Sequence, residues 1–346
     1  MPISVDALRA LLSAHGGPMA GAMALSPVAP EGREQRFMAR DPRDPRSALE
    51  VHLYAASERE TARREAAGLT LGGAVGLAPA LVYAGEAGQA PGHDPSLEPG
   101  AWLIIAQAPH GEPLGHRPLT DADVDGWLFL LLTLHHLRPA MAAQPSSMSA
   151  NPSAWWARIQ PMWEACRSAY GALPACAPLL HALSQLHAIT QVRIEANRGL
   201  WESMTRRPCH GNPAPGRLVK EGDRLTLTEW SGFGLGDPAI EVARVGALAA
   251  LAGELTNAQY VRFVTAYLEG MRDLRDTTLE ERIRIFASVA PMGFTLTALA
   301  TLAQPGAAPP PARRGIIEQV AYALGWSQDA LGVEFGAPSA LLAPLL

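Results

Sequence analysis

The hydrophobic pattern of this chain changes period at a linker, Ala108–Pro113, and the change separates two kinds of structure. Before the linker, apolar residues alternate over short stretches. In Ala48–Tyr54, Leu49, Val51 and Leu53 fall on one face of a strand, and Glu50, His52 and Tyr54 on the other. Met19–Leu25, Arg36–Arg40, Ala80–Ala84 and Trp102–Gln107 read as further strands. Two helices accompany them. Ser4 can cap the first, which runs to His15 with Val5, Leu8, Leu11 and Leu12 on one face. Glu58–Val75 is the second, and Gly76 ends it. After Thr120 the apolar spacing becomes that of helices: Thr120–Leu137, Ser153–Tyr170, Pro178–Met204, Pro238–Ala252, Asn257–Asp273 and Leu279–Leu302. Two short strands, near Leu218 and at Leu225–Thr228, interrupt the series. Strands followed by helices predict an α+β fold in two lobes rather than an alternating α/β sheet.

The predicted boundaries are 1–108 for a lobe of sheet and helix, 109–304 for a mainly helical lobe, and 305–346 for a linker, a short helix (Gly315–Leu324) and an apolar tail. With 346 residues, each lobe has length for its own core. Loops rich in Gly, Pro or Ser fall at Gly85–Gly100, Met141–Pro152 and Gln304–Arg314. The net charge of −5 argues against a nucleic-acid surface. Three cysteines, Cys166, Cys176 and Cys209, form no CxxC pair and suit a reducing compartment. The first residues lack a signal-peptide pattern. The apolar run around Trp127–Leu132 is shorter than the ~20 residues that span a bilayer. The expectation is a cytoplasmic protein with no membrane or nucleic-acid partner.

A series of short motifs carries the chemistry. His52-Leu53-Tyr54 lies on the third strand. Ala62-Arg63-Arg64-Glu65-Ala66 lies on the helix after it, and Gly76-Leu77-Ala78-Pro79 at the turn that follows. Leu134-His135 ends a helix. Cys209-His210-Gly211-Asn212 is followed five residues later by Arg217, and then come Glu229-Trp230 and Gly236-Asp237-Pro238-Ala239. In this order and spacing, roughly over residues 19–300, the motifs resemble the aminoglycoside phosphotransferase/choline-kinase family. The resemblance implies a two-lobed, protein-kinase-like fold with a small antiparallel-sheet N-terminal lobe and a large helical C-terminal lobe.

It also implies an ATP-dependent phosphoryl transfer site, in which a strand lysine pairs with a helix glutamate. There, a His-Gly-Asp loop supplies the base, and an Asn and an Asp hold metal. Against that pattern Glu65 is kept and the other four positions are changed. His52 stands for the lysine. The only lysine in the chain is Lys220, in a hairpin turn, and no catalytic role falls to it. An Ala- and Arg-rich composition explains scarce lysine in general but not its loss at this position. Asn212 stands for the catalytic aspartate and cannot ionise. Arg217 stands for the metal-binding asparagine, and a guanidinium has only donors. Glu229 stands for the metal-binding aspartate, and it alone retains a charge suited to metal. No glycine-rich phosphate loop is evident between Met23 and Arg36.

The reading carried forward is a phosphotransferase-family homologue with an impaired, pseudokinase-like site and a binding or regulatory role. It places Asn212 and Glu229 at degenerate catalytic positions, and His52, Glu65 and Arg217 around ATP or another phosphate-bearing ligand. Magnesium is not expected, with Glu229 its one candidate ligand. Arg217 can either meet phosphate directly or close the site by pairing with Glu229. The rival is an active atypical small-molecule kinase, or another transferase on the same fold. Expected partners are a small molecule or a protein. A homo-oligomer through the apolar tail is a further one, since Ile316, Ile317, Val320 and Leu324 form a helical stripe that must pack on something.

Other residues carry blander expectations. His210 is structural, and Cys209 beside it points to the other face. His135, His136, His181 and His187 are helix-surface histidines without zinc spacing. Trp155, Trp156 and Trp163 are core residues, and Asp237 supports the loop before it.

Overall fold

The computed structural model describes residues 4–16, 23–28, 34–44, 47–87, 98–138, 152–202, 204–304 and 310–346, without the side chains of 310–312. The 19–22 part of the first expected strand and residues 29–33, where a phosphate loop would lie, fall outside them, as do much of the Gly85–Gly100 and Met141–Pro152 loops. The chain forms two compact units that interleave in sequence: 1–115 with 129–148 and 208–235, and 116–128 with 149–207 and 236–346. The segment 208–235, which carries Asn212, Arg217 and Glu229, thus packs with the N-terminal sheet.

In the first unit, strands β1 (Ala24–Val28), β2 (Gln35–Arg40), β3 (Ala48–Tyr54), β4 (Leu81–Glu86) and β5 (Trp102–Gln107) form one sheet in the order β1-β2-β3-β5-β4. Every pairing is antiparallel. Helix α1 (Val5–His15) begins at Ser4, whose hydroxyl accepts the Ala7 N–H at 3.1 Å. Its Leu8, Leu11 and Leu12 form one core with Leu49, Val51, Leu53, Leu103 and Ile105. The even-numbered residues of β3 point away from that core, toward helix α2 (Arg59–Ala74). Gly76, at φ 75°, ends α2 by a turn in which the Leu77 N–H donates back to the Gly72 carbonyl at 2.8 Å.

The same unit holds β6 (Glu112–Pro113), the hairpin β8 (Leu218–Glu221)–β9 (Arg224–Leu227), and all but Arg207 and Gly236 of the short strands β7 (Arg207–Cys209) and β10 (Gly234–Gly236). Strand β6 pairs with β8, and the hairpin turns at Gly222, φ 59°, as its sequence predicts. Helix α3 (Asp121–His136) runs from one unit's residues into the other's.

The second unit is helical: α4 (Pro152–Gly171), α5 (Ala177–Ala196), α6 (Pro238–Leu251), α7 (Asn257–Gly270), α8 (Leu279–Leu302), α9 (Pro310–Leu331) and α10 (Pro338–Leu342). From Ile285 on, helix α8 carries no charged residue, and α4, α5, α6 and α9 pack around it. Among the described residues it is the one helix long and apolar enough to cross a bilayer, and 72% of that stretch is buried inside the protein. The run Trp127–Leu132, expected to belong to a helix, lies in α3.

A correction concerns the tail. The short helix expected over 315–324 runs from Pro310 to Leu331. The helix continues through Gly325 and stops before Gly332, at φ 69°. Ile317, Val320 and Leu324 are buried, and α9 lies on α8, so the stripe is covered within its own unit. The helix expected over 178–204 ends at Ala196 and is followed by a 3-10 turn, Arg198–Trp201.

Candidate functional site

Alternation along β3 and antiparallel register with β2 place four polar residues on one face of the sheet. His52 lies opposite Arg36 in the register, with Glu50 and Tyr54 two residues to either side of it. Helix α2 presents Glu65 to this face. His52 Nδ1 is 2.9 Å from Glu65 Oε1, and the Tyr54 hydroxyl donates to Glu65 Oε2. The position that the resemblance assigns to a lysine therefore does meet the helix glutamate, through an imidazole. His52 and Glu65 are 6% and 2% exposed, so the pair is internal.

Burial disfavours both charges here, but the charge and hydrogen bond of Glu65 outweigh it and raise the His52 pKa. Burial likewise opposes the Glu65 charge. The His52 charge and hydrogen bond, then Tyr54 and Arg36, outweigh it and lower that pKa. Burial, with Glu65 beside it, pushes the Tyr54 hydroxyl far up, so it remains a donor. Burial raises Glu50 as well, against the His52 charge.

The loop from His210 to Gly232 is fixed by backbone contacts. The buried His210 ring donates from Nε2 to the Thr228 carbonyl at 2.7 Å, which leaves Nδ1 to accept the Asn212 N–H at 3.4 Å. That is the structural role expected of it. Gly211, at φ 94°, lies so close to the 230–232 turn that a Cβ there would meet the Gly232 carbonyl oxygen at 2.4 Å. The Thr228 N–H and hydroxyl both donate to the Arg217 carbonyl, at 2.9 and 3.1 Å, which ties the two halves of the loop together. Trp230, fully buried, packs on Gly68 and Gly72 of α2, where added Cβ atoms would stand 2.8 Å from its ring. Glu229, just before Trp230, has left-handed backbone, φ 63° and ψ 58°, which an L-residue other than Gly, Asn or Asp seldom adopts.

The carboxylate of Glu229 is held by Arg36. Both terminal nitrogens of the guanidinium donate to it, one to each oxygen. The Nε of Arg36 donates to Glu34 Oε1 at 2.7 Å. The Arg36 side chain is 8% exposed, and those of Glu34 and Glu229 are 5% and 16% exposed. Burial would lower the Arg36 pKa, but the hydrogen bond and charge of Glu229, then of Glu34, raise it well above the usual range. A pocket of about 420 Å³ opens on this group, and Tyr54, Glu58, Thr61, Asn212, Arg217 and Ser231 help to line it. Its wall carries three carboxylates, Glu34, Glu58 and Glu229, and two guanidiniums, Arg36 and Arg217.

Of the five residues singled out by sequence, the pocket gathers Asn212, Arg217 and Glu229. His52 and Glu65 do not line it and reach it only through the Tyr54 hydroxyl and the charge of Arg36. The residue that takes both Glu229 oxygens is Arg36. Nothing around Arg36 in the sequence singles it out beyond its place in a strand.

A divalent metal does not fit these residues as they are placed. Magnesium asks for carboxylate or other oxygen ligands with octahedral freedom. Here Glu229, at one position that the resemblance assigns to metal, accepts from a guanidinium on both oxygens, and Arg217, at the other, has donors alone.

Elsewhere the histidine expectations divide. His181 is exposed, but His135 is fully buried, and His187 lies between Trp156 and Trp163, with ring centroids at 5.0 and 5.2 Å. Trp155, Trp156 and Trp163 are core residues.

No protein-family model matches the sequence, and no curated protein does. Solved structures do match over nearly all of it. One is a choline/ethanolamine kinase family protein from Mesorhizobium loti, at TM-score 0.55 and 19% identity, over 98% of each chain. Another is the macrolide 2'-phosphotransferase MphH from Brachybacterium faecium, at 0.53 and 19%, over 93% of this chain and 98% of that one. A third is the spectinomycin phosphotransferase APH(9)-Ia, in complex with ADP and spectinomycin, at 0.54 and 12%, over 100% of each. The chain therefore has the two-lobed α+β fold of the aminoglycoside phosphotransferases and choline kinases. At these identities the likeness defines the fold and not the activity.

Proposed function

We propose that this protein is a phosphotransferase-fold, pseudokinase-like binding protein that takes a phosphate-bearing ligand without a divalent metal and does not transfer its phosphate. The observation that carries the reading is the two-point contact between Arg36 and Glu229. It neutralises the one carboxylate at the metal positions, while Asn212 stands where a base is needed and cannot take a proton. A ligand phosphate would meet Arg217 across the pocket. The similarity to a phosphotransferase that binds ADP supports a nucleotide as the first ligand to try.

On this reading the role is regulatory, with a small molecule or a protein as partner. A homo-oligomer through the tail would use its exposed apolar residues, Tyr322 and Leu346, because the stripe on α9 is covered. The three cysteines are buried and none is in a disulfide, which accords with a cytoplasmic location.

Thermal melting with ADP or ATP, with and without EDTA, tests the reading. Ligand at 100 times its dissociation constant stabilises by about 2.7 kcal/mol. A shift that EDTA leaves intact and Arg217→Ala removes is expected. A shift that requires Mg²⁺ contradicts the reading.

The rival, an active atypical phosphotransferase, draws on the backbone at Glu229. A left-handed glutamate costs about 1–2 kcal/mol, and such outliers gather at functional sites. In that case nucleotide would displace Arg36 and free Glu229 for one metal ion.

A further inference from the structure

We infer that Arg36 is the residue that excludes divalent metal from this site, by occupying as a tethered cation the place between two carboxylates where a metal ion would bind. The inference rests on the functional reading above and names the group responsible for it. Glu34 comes at the entrance to β2, and Glu229 comes at the start of the 3-10 turn Trp230–Gly232. These residues are distant in sequence, yet one guanidinium bonds to both. Both carboxylates are almost withdrawn from water, so without a cation their like charges would face each other in a poorly solvated place.

A metal ion or a guanidinium can meet that need. The chain supplies the guanidinium from β2, held at the right depth by the register that sets Arg36 opposite His52. The planar fork suits a carboxylate at two points, which a lysine could not reproduce. Gly211, Asn212 and Gly232 line the same pocket, and so does Arg217. The specificity of the site for metal-free ligands is thus set by a strand residue outside every motif of the catalytic loop.

The test is Mn²⁺ binding to the full chain, followed by the loss of the free-ion paramagnetic resonance signal. It is made on wild type, Arg36→Met and Arg36→Gln. Wild type is expected to bind no Mn²⁺ below about millimolar concentration, the range of weak oxygen-ligand sites. Arg36→Met is expected to bind one Mn²⁺ at least about tenfold more tightly, and adding Glu34→Gln is expected to reverse the gain. Arg36→Gln, whose amide can still donate to one carboxylate, is the milder change and is expected to lie between the two. If either variant loses stability, Mn²⁺ is expected to restore its melting temperature. Restoration supports the inference, and a loss that Mn²⁺ leaves untouched counts against it. Wild type binding Mn²⁺ as tightly as Arg36→Met overturns it, and so does a folded Arg36→Met that binds none. Nucleotide binding that demands Mg²⁺ would instead overturn the functional reading, so the two failures are told apart.

Discussion

Among the described residues, two buried guanidinium groups are each hydrogen-bonded to a pair of carboxylates, one in each unit. Arg282 of α8 meets Asp237 through Nε and Nη2 at 3.0 and 3.1 Å, and Asp276 through Nη1 and Nη2 at 2.9 and 2.8 Å. Neither the Arg282 nor the Asp237 side chain is exposed. Asp237 also caps α6 by accepting the Ala239 N–H at 2.9 Å, and it accepts the Trp201 indole N–H at 2.8 Å. Burial would lower the Arg282 pKa, but Asp276 and Asp237 raise it well above the usual range. Arg36, Glu34 and Glu229 repeat the arrangement at the edge of a 420 Å³ pocket. The first network is saturated and joins elements of one unit, as the structural role expected for Asp237 requires. The first also reaches a pocket, through Asp276, whose side chain is 21% exposed, but Arg282 and Asp237 do not line it. In the second, the guanidinium and both carboxylates line the pocket, so its charges can be exchanged for those of a ligand. Similar chemistry makes a scaffold in one place and a site in the other, and access makes the difference.

Stability measurements can break that contrast. Asp237→Ala strips a fully buried arginine of one partner and should cost about 3–5 kcal/mol in denaturant unfolding of the full chain. Arg36→Ala should cost less, about 1–3 kcal/mol, because water in the pocket can solvate Glu229. Equal costs would make Arg36 a scaffold residue.

Gly72→Ala probes how firmly α2 is seated on the loop. The new methyl would lie 2.7 Å from Ala78 Cβ and 2.8 Å from the Trp230 ring. A helix gains about 1 kcal/mol from Gly to Ala, and overpacking costs about 1–3. A net loss of about 1 kcal/mol is therefore expected, and a net gain would show that the contact yields.

The smallest effect is a pH slope from His52. Its pKa is raised in the folded protein, so its contribution is complete below the ordinary value of 6.5 and is lost as pH rises through the raised value. Glu65, lowered in the folded protein, contributes above its ordinary 4.5 and loses this as pH falls through the lowered value. Melting temperature should therefore decline on the alkaline side in wild type and hold in His52→Lys, whose charge persists there. An unchanged slope in His52→Lys would remove His52 as its source.

Much of the fold was legible because it follows from periodicity. The alternation in β3 foretold the two faces, Leu49, Val51 and Leu53 on one and Glu50, His52 and Tyr54 on the other; the structure packs the first with α1 and joins His52 and Tyr54 to Glu65 of α2. Asn212, Arg217 and Glu229 were legible from motif spacing and share one pocket. What was not legible depends on contacts distant in sequence. Arg36 reaches Glu229 only because β2 and the 229–232 turn meet in space. Helix α9 continues past its expected end at Leu324, and it packs on α8. The apolar span of α8 resembles a membrane segment until its surrounding helices are seen.

The proposed absence of phosphoryl transfer from this phosphotransferase fold is tested by turnover. The purified full chain is incubated with Mg-ATP, alone and with aminoglycosides or choline-like alcohols, and phosphate release and transfer are followed. Loss of the base alone removes about 10²–10⁴ in rate, and neutralisation of Glu229 by Arg36 adds to it. The account predicts no turnover above buffer. Magnesium-dependent turnover that Glu229→Ala abolishes would contradict it.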